Sequence, residues 1–462
     1  MSSPTPEVDI ALIGAGITSL TLSIGLARIG IKHKIYEQSP HLTELGAGLG
    51  FGPNAWRALR LIEPRLLEIF EKVATFTEKT SHSQPTDETP LPTTTNETTE
   101  QEDEEQKEEK HPIWIEFLPG TSPLPPRSVP SSFKVHARHS GGKGHAAVHR
   151  AKWLDVLASF VTAPIVFRKR FESLTQSESS VTINFSDGST ATHSAVIGCD
   201  GVKSKVRTAL FPQSKCGYSG KYAYRALIPF EEAVKILGEV RSGVPSLWMG
   251  PGAHLLTFPV LDNLNIVAFC TDTDSEWAGT SSSLTVPTTK QDAIDDFKKA
   301  GFSDALLGLF NAVPDDRKLN KWGLFDVADN PPPSFFKGRV TLIGDAAHAS
   351  TPHHGSGAGF CMEDVAVLTG LLEQWQESEL GPGRVEDVFA QFDASRRKRD
   401  QWLVQSSRRA AELYQFQVEG ITSLEDIKRD IEERQEVCWG FDVERAVEET
   451  KNGLKERLDA NL

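Results

Sequence analysis

The chain has 462 residues, 49 of them Lys or Arg and 63 Asp or Glu, for a net charge of −14. That balance argues against general nucleic-acid binding, and the length asks for two interlocked domains rather than one core. Five scattered cysteines (Cys199, Cys216, Cys270, Cys361 and Cys438) show no CxxC or ligand spacing, which points to a reducing compartment and no structural metal.

Met1–Val8 is polar and lacks a basic n-region, so a cytoplasmic protein is expected. The first predicted element is a strand, Asp9-Ile-Ala-Leu-Ile13, ending in Gly14-Ala-Gly16. Small and apolar residues at helical spacing follow (Leu20, Leu22, Ile24, Leu26). A second strand, Lys34-Ile-Tyr-Glu37, ends in an acid 21 residues after Gly16. This is the dinucleotide-binding βαβ pattern, in which glycines let the backbone approach a pyrophosphate and the acid accepts from ribose hydroxyls. Ser19 replaces the usual third glycine and is small enough for helix–strand packing. Ile10–Ala27 carries no charge and has the length of a membrane span, but its glycines sit where a turn is needed and Arg28 follows at once.

A glycine-rich loop, Gly46-Ala-Gly-Leu-Gly-Phe-Gly-Pro-Asn54, comes next. Thr77–His111 is then built from Thr, Pro, Ser, Glu and Lys, with eight acids and two lysines between Glu97 and Lys110. It has too few apolar residues to offset its ordering entropy and reads as a disordered acidic insertion. A tail that binds a basic partner is the alternative. Val148-His149-Arg150 leads into Trp153-Leu154. Ala195-Val-Ile-Gly-Cys-Asp200-Gly201 is a strand and turn before Lys203, Lys205 and Arg207, which suit either a phosphate-bearing ligand or a solvated helix face.

Between Cys216 and Trp322 the pattern alternates, as in a largely antiparallel sheet. Arg225 stands inside the apolar Tyr222-Ala-Tyr-Arg-Ala-Leu-Ile228. An isolated buried charge is very costly, so this arginine meets solvent, an internal acid or an anionic ligand. Trp248, Trp277 and Trp322 suit either a pocket wall or a core. A helix is expected at Lys290–Lys299. Val340-Thr-Leu-Ile343 then delivers Gly344-Asp345, and the cluster Pro352-His-His-Gly-Ser-Gly357-Ala358 opens a long helix whose free N–H groups suit a polyanion. Phe389–Gln415 and Leu424–Leu458 read as helices that pack against the body or a second subunit.

These segments, in this order, resemble the single-component FAD-dependent aromatic hydroxylases, the family of para-hydroxybenzoate and salicylate hydroxylase, over nearly the whole chain. The resemblance implies an α/β protein: a Rossmann-like FAD-binding domain, an inserted, mostly antiparallel substrate domain and a C-terminal helical extension. The expected divisions are 1–76, 112–215 and 325–385 for the cofactor domain, 77–111 for the insertion, 216–324 for the substrate domain and 386–462 for the extension. It implies FAD contacts at Gly14, Gly16, Glu37, Gly50, Arg150, Asp200, Asp345, Gly357 and Ala358. Arg225 and His353 are the implied catalytic pair, with Tyr224, Phe258, Pro352 and His354 in the substrate pocket. His353 and His354 are also open to solvation or backbone hydrogen bonding.

The implied reaction uses NADH or NADPH and O2 to hydroxylate a small phenolic substrate, salicylate foremost, without a metal. A fungal aromatic polyketide is the other candidate. Polyketide relatives that dearomatise their substrate pair the arginine with a tyrosine where this chain has Phe258. A flavin-binding protein without oxygenase activity is the rival of another class.

Overall fold

The computed structural model describes residues 8–42, 48–76, 112–121, 132–139, 145–274, 276–279, 283–377, 385–421 and 423–459. The expected insertion at 77–111 lies outside them. Apolar runs bounded by turns become buried parallel strands. Asp9–Ile13, Lys32–Tyr36, Ile165–Val166, Ala195–Gly198 and Val340–Leu342 form the parallel part of a six-stranded sheet, with Phe336–Lys337 antiparallel at one edge. Ile10, Leu12 and Ile197 are fully buried, as parallel strands require. The helix Ile17–Arg28 packs on Lys32–Tyr36 and against the long helix Gly357–Glu377.

The second large sheet has eight strands, in the order Thr285–Thr288, Leu319–Asp326, Gly217–Pro229, Asn263–Thr271, Ala253–Val260, Ser246–Gly250, Ile113–Pro119 and Phe133–His136. All neighbours are antiparallel except Ser246–Gly250 with Ile113–Pro119. Ile113–Pro119 and Phe133–His136, which the expected division put in the second part of the cofactor domain, are strands of this sheet instead. The parallel pairing that recruits them joins strands more than 100 residues apart, and local periodicity does not encode it.

Side chains alternate across this sheet. Tyr222, Tyr224, Trp248, Leu255 and Leu264 face the helices Phe230–Leu237, Lys290–Lys299 and Asp304–Asn311, sharing a core with Phe297 and Phe310. Ala223, Val267, Phe269 and Leu324 take the other face, with Leu256 and Phe258 beside them. Three helices, Val385–Tyr414, Leu424–Trp439 and Val443–Asp459, form the C-terminal region. The first joins the two units: Val388, Phe389 and Phe392 lie in the cofactor core, while Ala410, Leu413 and Tyr414 pack on Phe117, Leu247 and Met249.

Candidate cofactor and substrate site

Three distant segments meet at the carboxyl end of the parallel sheet. Gly14 has φ +98°, and a Cβ there would stand 2.7 Å from the Cys199 carbonyl oxygen, so only glycine lets the first turn rest on the Asp-Gly segment. Gly344 has φ +63°, and its Cβ would meet Thr18 Oγ1 at 2.9 Å and Cys361 Sγ at 3.1 Å. The Gly-Asp segment is thereby pressed against the starts of both helices. Gly16 caps the helix Ile17–Arg28 with no side-chain bond to its N–H groups, and a Cβ on Gly16 would meet nothing within 4 Å. An open helix N-terminus of this kind fits a pyrophosphate.

Glu37 Oε2 accepts from Ala15 N at 2.8 Å and Oε1 from Ser39 N at 2.7 Å. The carboxylate is therefore fixed at the loop, with lone pairs left for ribose hydroxyls. Asp345 opens a short helix and is half-buried, and Gly357 and Ala358 stand at the start of Gly357–Glu377. Gly50 lies on a strand whose Cβ position is 3.2 Å from the Gly355 carbonyl. Arg150 begins the helix Arg150–Phe160. These residues fit a flavin dinucleotide.

Asp200 has a different immediate role. Its carboxylate accepts from Ser204 Oγ at 2.5 Å, Lys205 N at 2.7 Å and Val206 N at 3.1 Å, capping the helix Lys205–Leu210, and burial pushes its pKa up. Arg207 is neither on a solvated face nor free for phosphate. It is 1% exposed and donates to the carbonyls of Val202, Ser214, Asp345 and Ala346. One buried guanidinium thus ties the Asp-Gly segment to the Gly-Asp segment, a structural role that neither reading of the sequence, phosphate contact or solvated face, had given it.

Behind Asp345 lies an ion lattice that the sequence did not announce. Asp364 accepts from Gly344 N at 3.0 Å and pairs with His348 Nε2 at 2.7 Å. Arg396 reaches Asp364, Asp400 and Glu363 at 2.6 to 2.8 Å, and Arg399 closes on Glu363. Burial alone would lower the His348 pKa, but Asp400 and Asp364 push it up to about 9. His348, Asp364 and Asp400 are close enough to ligate a metal, yet a guanidinium already serves both carboxylates.

The substrate side centres on Arg225, on the same face as Ala223, Val267 and Phe269. Its guanidinium stacks on Trp322 at 5.3 Å. Among the described residues no carboxylate pairs with it, and its buried Nε has no hydrogen-bond partner. Burial and then the Arg150 charge both press its pKa down. Phe258 approaches the cofactor loop, 3.7 Å from the Cβ position of Gly48. His353, at the turn Pro352–His354, sits 4.9 Å from Phe269.

Two expected pocket residues lie elsewhere. Tyr224 points to the helix-covered face, where its hydroxyl donates to Asp296 Oδ2 at 2.5 Å; being next to Arg225 in an extended strand puts it on the opposite side. His354 turns away from the sheet, bonding Ser406 Oγ at 2.7 Å and stacking on Trp402. Pro352 is exposed. Trp248 and Trp277 bond to Thr257 and Ser283, which leaves Trp322 as the tryptophan beside Arg225. His254, not singled out from sequence, shares the Arg225 face; the signal was its four-residue spacing from Phe258, which puts both on one side of a strand.

A dinucleotide cradle on a parallel sheet, closed by a mostly antiparallel sheet, fits a flavin-dependent enzyme. The FAD binding domain family matches residues 7–406, and the chain belongs to it. It is 34% identical to salicylate hydroxylase asL1 of Sarocladium schorii over 98% of this chain and 92% of that one. It is 33% identical to the FAD-dependent monooxygenase orf3 of Aspergillus niger over 98% of both. A solved salicylate hydroxylase substrate complex superposes with a TM-score of 0.77 at 25% identity, covering 97% of this chain and 98% of the other. The protein is an FAD-dependent monooxygenase, with NADH or NADPH as the reductant typical of the family. Among the described residues no helix is long and apolar enough to cross a membrane.

Proposed function

We propose that the enzyme hydroxylates a phenolic aromatic acid anchored at Arg225, with salicylate, converted to catechol and carbon dioxide, as the leading substrate. The observation that carries this reading is the half-buried guanidinium of Arg225, whose Nε is buried and which has no counter-charge among the described residues. A cation so placed is stabilised by an anionic ligand, and it lowers the pKa of a bound phenol. The ionised phenolate is electron-rich at its ortho and para carbons. A carboxylate ortho to the phenolate gives the planar fork a second oxygen to hold.

FAD, once reduced by NAD(P)H, supplies the activated oxygen atom. The protein's own task is to orient the ring and exclude water. Leu256, Phe258, Phe269 and Trp322 supply apolar walls for it. Salicylic acid, O2, NAD(P)H and one proton become catechol, carbon dioxide, NAD(P)+ and water. When oxygen adds at the carboxyl-bearing carbon, loss of carbon dioxide restores the aromatic ring. Phe258 offers no hydroxyl at the position where dearomatising relatives have tyrosine, and this favours the decarboxylating outcome over a polyketide acylphenol.

The test is NAD(P)H oxidation by the FAD-loaded enzyme with salicylate, with catechol and carbon dioxide measured against cofactor consumed. Equimolar product supports the proposal. Stimulation by an acylated resorcinol and not by salicylate transfers it to the polyketide reading, and no hydroxylated product from either overturns both substrate readings.

A further inference from the structure

Two imidazoles are buried on the Arg225 face with ring nitrogens unaccounted for. His254 is 1% exposed and His353 7%, and their rings lie against each other, tilted by 57°, with centroids 5.3 Å apart. Phe269, part of the apolar group around Arg225, lies against both at 4.5 and 4.9 Å. His353 Nδ1 bonds Thr351 Oγ1 at 3.0 Å. Its Nε2 and the Nδ1 of His254 have no hydrogen-bond partner among the described residues. Such groups are rare in folded proteins and are ordinarily met by a ligand or a bound water.

His254 comes from the substrate sheet and His353 from the cofactor unit, so the pair forms only where the two units close. Burial, together with the neighbouring charges, holds both rings neutral, and a neutral imidazole offers one donor and one acceptor. A hydroxyl group matches that pair, because it donates and accepts at once. His254 pairs across the sheet with Phe269, Phe269 with Ala223, and Ala223 is two residues from Arg225. Two strand spacings and two residues of rise put the Arg225 and His254 backbones about 12 Å apart. One substituted ring bridges that gap when the side chains converge on it.

We propose that His254 and His353 read a second hydroxyl on the substrate, on the side of the ring away from the phenolate. Within the hydroxybenzoates anchored at Arg225, those that carry a second hydroxyl, the dihydroxybenzoates, are then bound more tightly than the parent salicylate. This rests on the Arg225 reading above.

The experiment titrates salicylate, 4-methylsalicylate, 2,4-dihydroxybenzoate and 2,5-dihydroxybenzoate into the FAD-loaded protein and reads the change in flavin absorption, without turnover. At least one dihydroxybenzoate is expected to bind tenfold or more tightly than salicylate, and 4-methylsalicylate no more tightly. His353→Phe and His254→Phe should each bring the dihydroxybenzoate-to-salicylate ratio to within twofold of one. Equal binding of all four ligands by the unaltered protein overturns the proposal, whether or not the variants fold. So does a variant with full FAD content that keeps the preference. Arg225→Ala should weaken all four; if it weakens none, the underlying Arg225 reading fails, and the hydroxyl preference is then judged from the unaltered protein alone.

Discussion

Replacing Arg225 by alanine separates a ligand-binding cation from a structural one. In the described residues the side chain has no ion pair to lose, only its stacking on Trp322, worth on the order of 0.5–1 kcal/mol. Removing it also relieves repulsion by Arg150 and the unfavourable burial of a charge. These effects oppose one another, so the melting temperature should change little, and FAD content should match that of the unaltered protein. Substrate binding should lose a charge-assisted contact worth about 1.5–3 kcal/mol, or roughly 10- to 100-fold in Kd. Arg225→Lys should recover only part of this, because an ammonium cannot offer the planar fork. The assay is the flavin absorption change on titration with salicylate, alongside NAD(P)H oxidation rates. An unchanged Kd with a markedly lower melting temperature would refute the reasoning and return Arg225 to a structural role.

Gly14→Ala forces a Cβ to 2.7 Å from a carbonyl oxygen at φ +98°, costing roughly 1–3 kcal/mol, so both melting temperature and FAD content should fall. Gly16→Ala meets nothing and should lower FAD affinity while sparing the apoprotein's melting temperature. Tyr224→Phe should cost about 1.5 kcal/mol of stability through the lost bond to Asp296, with turnover kept within about twofold, because Tyr224 faces away from the site. His348 has its pKa raised to about 9, so its contribution to stability is complete below about 6.5 and is lost as pH rises through about 9. Melting temperatures at pH 6 and pH 9.5 should differ more in the unaltered protein than in His348→Gln. We propose that residues 77–111 are dispensable: replacing them with a short Gly/Ser linker should leave FAD content and turnover nearly unchanged, since the flanking strands are anchored elsewhere.

Turn chemistry made the cofactor cradle readable from sequence. Gly14, Gly16, Glu37, Gly344 and Asp345 each sit where a strand ends, and such positions accept few residue types. Alternation made the substrate sheet readable, but not its full membership: the parallel edge through Ile113–Pro119 has no local signature. Neighbouring residues on a strand were treated as one site, which placed Tyr224 beside Arg225 when the pleat sends them to opposite faces. The Arg207 hub and the lattice of Glu363, Asp364, Arg396 and Asp400 stayed hidden for another reason. Each member looks like an ordinary charge at helical spacing, and only tertiary packing decides that it is buried.

The substrate site depends on a connection remote from either ligand. The helix Val385–Tyr414 enters the cofactor core at Phe389 and Phe392 and ends against the substrate sheet at Tyr414. Along the way Arg408 holds Asp326 with two bonds of 2.7 and 2.8 Å, and Ser406 bonds His354. At its end Gln415 and Gln417 accept from the buried ammonium of Lys221, on the strand that carries Arg225. Leu413 and Tyr414 lie against the same sheet whose other strands hold Phe258 and His254. A hinge motion between the two units would have to break these polar contacts together, so the C-terminal helix helps to hold the spacing between Arg225 and His353. His354 is thereby bonded to the helix through Ser406, while its neighbour His353 lies against Phe269 and His254 of the substrate sheet.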